Sequence, residues 1–148
     1  MLRITVLLLT GLLLIGCGGG EGIITVPVNP DGKGDPKIVF TSIPAYGTQA
    51  DLNGQVYSVD ANYKVAVYIF VSGWYNKPMW EQPLTSIRDG GKWTCDVTTG
   101  EYDDHATRIL AYLVPPNYTP PLMDGEHSLP SELEMTAVAK CEIIRTQP

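Results

Sequence analysis

An apolar stretch at residues 63–71 constrains the fold more than any other part of the chain. Its sequence is YKVAVYIFV. Successive side chains of a β-strand point to opposite faces of the sheet, so this strand carries apolar residues on both faces. One face holds Val65, Val67, Ile69 and Val71, and the other holds Ala66, Tyr68 and Phe70. Such a strand must be covered on both sides, which predicts a central strand of a sheet.

Six further β-rich runs accompany this strand, and turn-forming residues separate them. The runs span residues 37–43, 54–59, 84–87, 92–97, 107–114 and 135–145. The turn signals are Asn53-Gly54, Asp89-Gly90-Gly91, Thr99-Gly100, Pro115-Pro116-Asn117 and Asp124-Gly125. No window after residue 17 shows sustained helical periodicity. Seven short strands within residues 37–148 therefore predict one all-β domain, an antiparallel Ig-like or fibronectin-like sandwich.

The first 17 residues have the organisation of an export signal. Arg3 supplies a positive start, residues 4–15 form an uncharged apolar run, and Leu14-Ile15-Gly16-Cys17 ends it. The run is too short to span a bilayer, which takes roughly 20 residues, and has the length of a signal-peptide core. This stretch resembles the lipobox signal of bacterial lipoproteins. The resemblance implies that residues 1–16 are removed and that lipid, with palmitate-type acyl chains, is attached to Cys17; the alternative is an ordinary signal peptide followed by a chance cysteine.

Lipid on Cys17 would hold the protein on a membrane of the bacterial cell envelope. Each buried CH₂ contributes about 0.8 kcal/mol, and two or more acyl chains anchor a protein stably. Gly18 stands where an Asp marks inner-membrane retention in enterobacteria, which favours the outer membrane. The formal net charge of −6 argues against binding of nucleic acid or of anionic lipid through a basic patch. Membrane attachment would therefore depend on the lipid.

Residues 17–36 are rich in glycine and proline and predict a tether between the anchor and the domain. A flexible coil of this length has a root-mean-square span of about 25 Å, which would hold the domain just above the bilayer. Residues 23–28, with the sequence IITVPV, are an exception within the tether. This apolar run could pair as an edge strand, where prolines are tolerated.

Two cysteines, Cys95 and Cys141, remain after lipidation takes Cys17. A pair of cysteines in an exported domain predicts one disulfide. Both fall on core-side positions of their predicted strands, and a bridge between neighbouring strands or across the two sheets fits equally well. The closed loop of about 46 residues would contribute roughly 4 kcal/mol in a chain-entropy model. The alternative is two buried free thiols.

Residues 72–83, SGWYNKPMWEQP, concentrate aromatic side chains in a loop that two prolines stiffen. Exposed aromatic rings stack on the C–H faces of sugars, and Asn, Lys and Gln side chains can bind sugar hydroxyls. We therefore expect a ligand surface formed by Trp74, Tyr75, Lys77, Trp80 and, from a later loop, Tyr118. Two alternatives stay open: the aromatic residues belong to the core, or they form a protein-binding patch.

Three segments of the domain are similar to β-sandwich accessory modules appended to secreted bacterial polysaccharide-degrading enzymes. They are VAVYIFVSGWYNKP at residues 65–78, GGKWTCDVTTG at residues 90–100 and ATRILAYLVP at residues 106–115. The resemblance extends over roughly residues 38–145. It implies a sugar-related or spacer role without chemistry of its own.

An acidic cluster at residues 96–105 offers the oxygen ligands that calcium prefers, with Asp103 and Asp104 as the candidates. Its spacing does not match an EF-hand loop, and a solvated turn is the simpler interpretation, so we expect no metal and no other cofactor. The chain contains no Gly-x-Ser-x-Gly elbow, no His-Glu-x-x-His and no P-loop. The sequence thus predicts a non-enzymatic binding module for glycan or envelope polymer. The alternative is a structural or assembly lipoprotein that binds another envelope protein.

The Cys17→Ser variant tests the anchor. Removing the thiol removes the atom that receives the lipid, so the variant should remain uncleaved or become soluble and should take up no lipid label. Metabolic labelling with a palmitate analogue, followed by membrane fractionation, measures both effects. Label that persists in the Cys17→Ser protein would show that lipid is attached elsewhere.

Overall fold

A computed structural model describes residues 34–147 of the chain, which form two antiparallel β-sheets with nine strands and one short α-helix. Residues 1–33, which include Cys17 and the apolar run 23–28, lie outside this part. The elements are β1 (Lys37–Ser42), β2 (Leu52–Tyr57), β3 (Lys64–Phe70), β4 (Trp74–Lys77), β5 (Thr85–Ser86), β6 (Lys92–Cys95), β7 (Arg108–Val114), β8 (Asp124–Glu126), α1 (Ser131–Thr136) and β9 (Ala139–Ile144). Among the described residues, no helix is long and apolar enough to cross a membrane.

The two sheets differ in size. The smaller sheet has the strand order β1-β2-β6. The larger sheet has the order β8-β4-β3-β7-β9, and β5 also pairs with β3. The long β3–β7 pairing runs from Lys64 opposite Val114 to Phe70 opposite Arg108. As residues 63–71 predicted, β3 lies in the middle of a sheet, with neighbours on both sides.

The inner core lies between the two sheets. Its buried members from the smaller sheet are Ile38, Phe40, Leu52, Val56, Trp93 and Cys95, and those from the larger sheet are Val65, Val67, Ile69, Ile109, Ala111, Leu113, Cys141 and Ile143. Gly54 lies opposite Trp93 in the β2–β6 ladder. A Cβ atom at residue 54 would overlap the indole, so glycine lets the largest core side chain lie flat against the β2 backbone. The Asn53-Gly54 pair, read from sequence as a turn, therefore lies inside a strand.

The outer face of the larger sheet is covered by residues 115–138, here called the cap. Buried side chains of the sheet and the cap form an outer core: Ala66, Tyr68, Trp74, Leu110, Tyr112, Val114, Met123 and Leu133. Two sheet tyrosines fasten the cap: Tyr68 donates a hydrogen bond to Pro121 O at 2.7 Å, and Tyr112 donates one to Glu134 Oε1 at 2.8 Å. Burial raises the pKa of both phenols, so the hydroxyls stay protonated as donors.

The all-β prediction with a packed pair of antiparallel sheets is confirmed at this level. The chain nevertheless contains elements that the sequence did not indicate. Helix α1 has only 6 residues, which is too short for a periodic pattern to emerge. Strand β4 forms where the sequence predicted a loop, and β8 forms where it predicted a turn. In both places, strand pairing in the larger sheet outweighs the local preference for a turn.

The structure does not contain the predicted disulfide between Cys95 and Cys141, because Cys95 is a free, buried thiol. Alternation correctly placed both residues on the core face, but it cannot fix their lateral position. Strand β6 contacts β5, whereas Cys141 lies on β9. Three inter-strand steps, β5 to β3, β3 to β7 and β7 to β9, separate these two strands in the larger sheet. Neighbouring strands are about 4.8 Å apart, so this offset alone is roughly 14 Å, beyond the 7 Å or so that a disulfide spans.

Thiol labelling tests this correction. Burial raises the pKa of Cys95 to about 12, and the thiolate is the reactive form, so the folded domain should not be alkylated at this residue at pH 8. The same protein in guanidinium chloride should be alkylated there within minutes. Peptide mapping under non-reducing conditions measures both states. A cross-linked peptide pair that contains Cys95 and Cys141 would contradict the structure.

Candidate functional site

Strands β4 and β5 lie one after the other along the same side of β3, and the chain leaves this side between them. Strand β4 pairs with residues 67–70 of β3, and β5 pairs with residues 64–65. Residues 78–84, here called the edge loop, therefore project from the side of the larger sheet. A loop held at both ends by strands is the kind of position from which a rigid scaffold displays functional side chains.

A buried ion pair fixes the start of the edge loop. Lys77 Nζ contacts Asp103 Oδ2, and the two side chains are only 7% and 8% exposed. Asp103 belongs to residues 96–107, here called the crossover loop, which connects β6 to β7. The same carboxylate oxygen accepts the Gly100 N–H at 2.5 Å, and Lys77 Nζ also donates to Thr99 Oγ1 at 3.1 Å. Because buried charges require partners, this network ties the two loops together.

Three hydrogen bonds support the residues on either side of this ion pair. Thr99 Oγ1 donates to Pro78 O at 2.5 Å, and Asn76 Nδ2 donates to Met79 O at 3.3 Å. Asn76 Oδ1 in turn accepts the Met123 N–H at 3.0 Å inside the cap. The base of the edge loop is thus held by the crossover loop and by the cap, which reduces the entropy that a ligand would have to overcome.

Two residues in the first half of the edge loop have large exposed apolar side chains. Met79 is 48% exposed and Trp80 is 51% exposed. Tyr102, which is 63% exposed, lies on the crossover loop to which the edge loop is bonded. We call Met79 and Trp80, the exposed pair on the edge loop itself, the aromatic tip. Glu81 and Gln82 follow directly and are exposed, so hydrogen-bonding groups lie beside the indole.

Two residues expected on a ligand surface are buried, which corrects that expectation. Trp74 is 4% exposed and belongs to the outer core. Its ring lies edge-on to Phe70, with 5.3 Å between centroids, and the Arg108 guanidinium lies 4.9 Å from the ring centroid. Lys77 has its charge matched by Asp103 in the interior. Pairing of residues 74–77 with β3 turns both side chains inward.

The remaining expected residues divide between the cores and the solvent. Tyr75 is half-buried and packs against the inner core, on the face of β4 opposite to Trp74. Tyr118 is half-buried in the cap, with its hydroxyl 3.5 Å from Glu132 Oε1. Trp80 is the one member of the expected set that is exposed, because it lies beyond the end of β4.

The calcium candidates, Asp103 and Asp104, do not share a ligand position. Asp103 is occupied by Lys77 and Gly100, so an ammonium group neutralises the carboxylate. Asp104 Oδ1 lies 3.0 Å from His105 Nδ1 near the surface. Within residues 34–147, no group of three or more His, Cys, Asp and Glu side chains could hold a metal ion.

Sequence reasoning missed several residues that build this region. Tyr102 stands alone in an acidic, Gly-containing stretch, and no periodicity marks it as exposed. Asn76 is hydrogen-bonded to Met123, which is 47 residues away along the chain. Asp103 is paired with Lys77, which is 26 residues away. Such long-range pairs leave no local signal in a single sequence.

Comparison of the chain with family models, with curated protein sequences and with solved structures gave no match. A function for this chain must therefore be inferred from its sequence and from the geometry of the described residues.

Substitution of Asp103 tests whether the ion pair holds the two loops. Asp103→Ala leaves the Lys77 ammonium buried without its carboxylate, which should lower the free energy of unfolding by about 3–5 kcal/mol. Glu101→Ala, in the same loop but exposed, is the matched control and should change it by less than about 0.5 kcal/mol. Urea unfolding measures all three proteins. Equal stability of the wild type and Asp103→Ala would show that the pair does not hold the loops.

Proposed function

We propose that this protein is a lipid-anchored, non-enzymatic module of the bacterial cell envelope that binds glycan or another envelope polymer through the aromatic tip. The observation that carries the proposal is the position of Trp80. Its side chain is half exposed, although the residues just before it, Lys77 to Met79, are held by an ion pair and by hydrogen bonds. Trp74 and Trp93, by contrast, are both buried.

The chemistry of the tip suits a sugar. An indole face presents a flat apolar surface on which the C–H groups of a pyranose can stack, and its N–H adds a donor at the rim. Exposed Glu81 and Gln82 offer an acceptor and an amide for sugar hydroxyls. The support beneath the loop favours a tip that is shaped before binding, so little ordering entropy would oppose the ligand. A site this small should bind weakly, with a Kd between about 1 μM and 1 mM.

The anchor and the fold complete the proposal. Lipid on Cys17, inferred from the lipobox-like tetrapeptide, would hold the module on the outer membrane more readily than on the inner membrane. We further propose that the two sheets are arranged in the Ig-like or fibronectin-like manner. The absence of sequence motifs for catalysis supports a binding role without chemistry.

A second candidate, an assembly lipoprotein that contacts another envelope protein, is favoured by a separate observation. Large apolar side chains are exposed on and beside β9, at the far edge of the larger sheet. Met135 is 77%, Val138 39% and Ile144 64% exposed. Sheet edges with exposed apolar residues are common sites of strand addition by a partner.

A polysaccharide-binding assay with matched variants tests the main proposal. The mature domain should bind at least one ligand of a glycan array or isolated peptidoglycan, and Trp80→Ala should weaken that binding at least tenfold without lowering the melting temperature. Met135→Ala, which removes an exposed apolar side chain outside the tip, is the control and should bind like the wild type. Binding should change little between 50 and 500 mM salt, because the contact is not ionic.

Two outcomes contradict this proposal. Undiminished binding by Trp80→Ala would place the site elsewhere. Loss of binding only together with loss of the folded state would make Trp80 a structural residue.

A further inference from the structure

The outer edge of β9 is open within residues 34–147, where no strand pairs with it. The direction of its backbone groups follows from the ladder with β7. Arg145 N donates to Thr107 O at 2.7 Å, so this pair is a hydrogen-bonded pair of the antiparallel ladder. Such pairs alternate with non-bonded pairs. The N–H and C=O groups of Lys140, Glu142 and Ile144 therefore point away from β7, toward the open edge.

The two charged side chains of β9 itself, Lys140 and Glu142, both have partners in the described part of the chain. Lys140 is paired with Glu134 at 2.7 Å, and Glu142 is paired with Arg108 at 2.5 Å, so the charged side chains that usually protect an edge are neutralised. Ile144 is 64% exposed, which leaves an apolar surface at the end of the strand. An open edge with neutralised charges and an exposed isoleucine is a template for strand addition.

The described chain begins beside this edge. Strand β1, at the edge of the smaller sheet, contacts β9 of the larger sheet, and the two strands run in the same direction. At their starts, a groove of about 330 Å³ is lined by Pro36 to Val39 and by Val138 to Lys140. At their ends, Arg145 Nη1 donates to Pro44 O at 2.9 Å. Pro36 lines this groove, so the chain enters β1 close to the start of β9.

We propose that residues 23–28 of this chain add to the open edge of β9 as an antiparallel strand. The chain enters β1 at the start of β9, and a segment that reaches this point from the far end must run against β9. Eight residues, NPDGKGDP at positions 29–36, separate the segment from β1. They are rich in the turn formers Gly, Pro, Asn and Asp, and they are ample for crossing from the edge of the smaller sheet to the edge of the larger sheet, because β1 and β9 are in contact.

The proline in the segment selects the register. Pro27 has no N–H, so in an edge strand its nitrogen must face the solvent side. Ile24, Val26 and Val28 then direct their N–H and C=O groups toward β9, which matches its three open residues. The pairs are Ile24 with Ile144, Val26 with Glu142 and Val28 with Lys140. In this register the exposed side chain of Ile144 is covered by that of Ile24, because paired residues share a face.

The pairing would also shorten the link to the membrane. If Cys17 carries lipid, as proposed above, only residues 18–22 would remain between the anchor and the domain. Five residues span at most about 18 Å, so the end of β9 that carries Ile144 would lie near the bilayer. The strand itself can form with or without lipid, and a soluble form of the chain therefore tests it apart from the proposed function.

Hydrogen exchange of individual amides tests the added strand. The probe is the whole mature chain, residues 17–148, made soluble by Cys17→Ser. We expect the N–H groups of Lys140, Glu142 and Ile144 to be protected. Val26→Pro removes a donor directed at β9 and should speed their exchange at least tenfold. Thr25→Pro is the matched control: its N–H faces solvent in this register, so protection should persist. The Val67 amide in β3 reports that each variant is folded.

Three results would overturn the inference. The amides of Lys140, Glu142 and Ile144 could exchange at unprotected rates in the parent protein. The two proline variants could behave alike while the Val67 amide stays protected. Protection at the edge could rise with protein concentration, which would show that a second copy of the chain occupies β9 instead of residues 23–28.

Discussion

The pairing of β3 with β7 is the interaction on which the rest of the structure depends, because both strands are buried on both faces. Val67 faces the inner core and Tyr68 the outer core, and both are completely inaccessible to solvent. A sheet with two apolar faces must be covered twice. The smaller sheet provides one cover and the cap provides the other. The regular elements of the cap, β8 and α1, are short, and the phenols of Tyr68 and Tyr112 hold the cap to the sheet by hydrogen bonds.

The two cores also explain how the tryptophans are distributed. Trp93 fills the inner core against a glycine of β2, and Trp74 fills the outer core beside Arg108. Both lie on strands, where alternation and pairing assign each side chain to a core. Trp80 lies beyond the point at which the chain leaves the sheet, so its side chain is buried in neither core. The ion pair between Lys77 and Asp103 keeps this departure in place, and the consequence is a supported loop with an exposed indole.

The range of each interaction determines how much of the structure could be predicted from the sequence. Residues 63–71 predicted a central strand, because a period of two with apolar residues on both faces is a local signal. The same alternation placed Cys95 and Cys141 on the core side, but their strands lie at opposite sides of the sandwich, which local pattern does not encode. The clustered aromatic residues of 72–83 pointed to the segment that contains the exposed indole. Which of Trp74 and Trp80 is exposed depended on β4, whose four residues pair with β3 despite their turn-like surroundings.

Acrylamide quenching of tryptophan fluorescence tests most directly the claim that two tryptophans build the cores and one is displayed. The wild type should show one readily quenched component, with red-shifted emission, beside a protected one. Trp80→Phe should remove the quenched component, and Trp74→Phe should retain it while reducing the protected emission. If Trp80→Phe leaves the quenching unchanged, or if Trp74→Phe abolishes it, the assignment of Trp80 as the displayed residue is wrong, and the binding surface proposed around it falls with it.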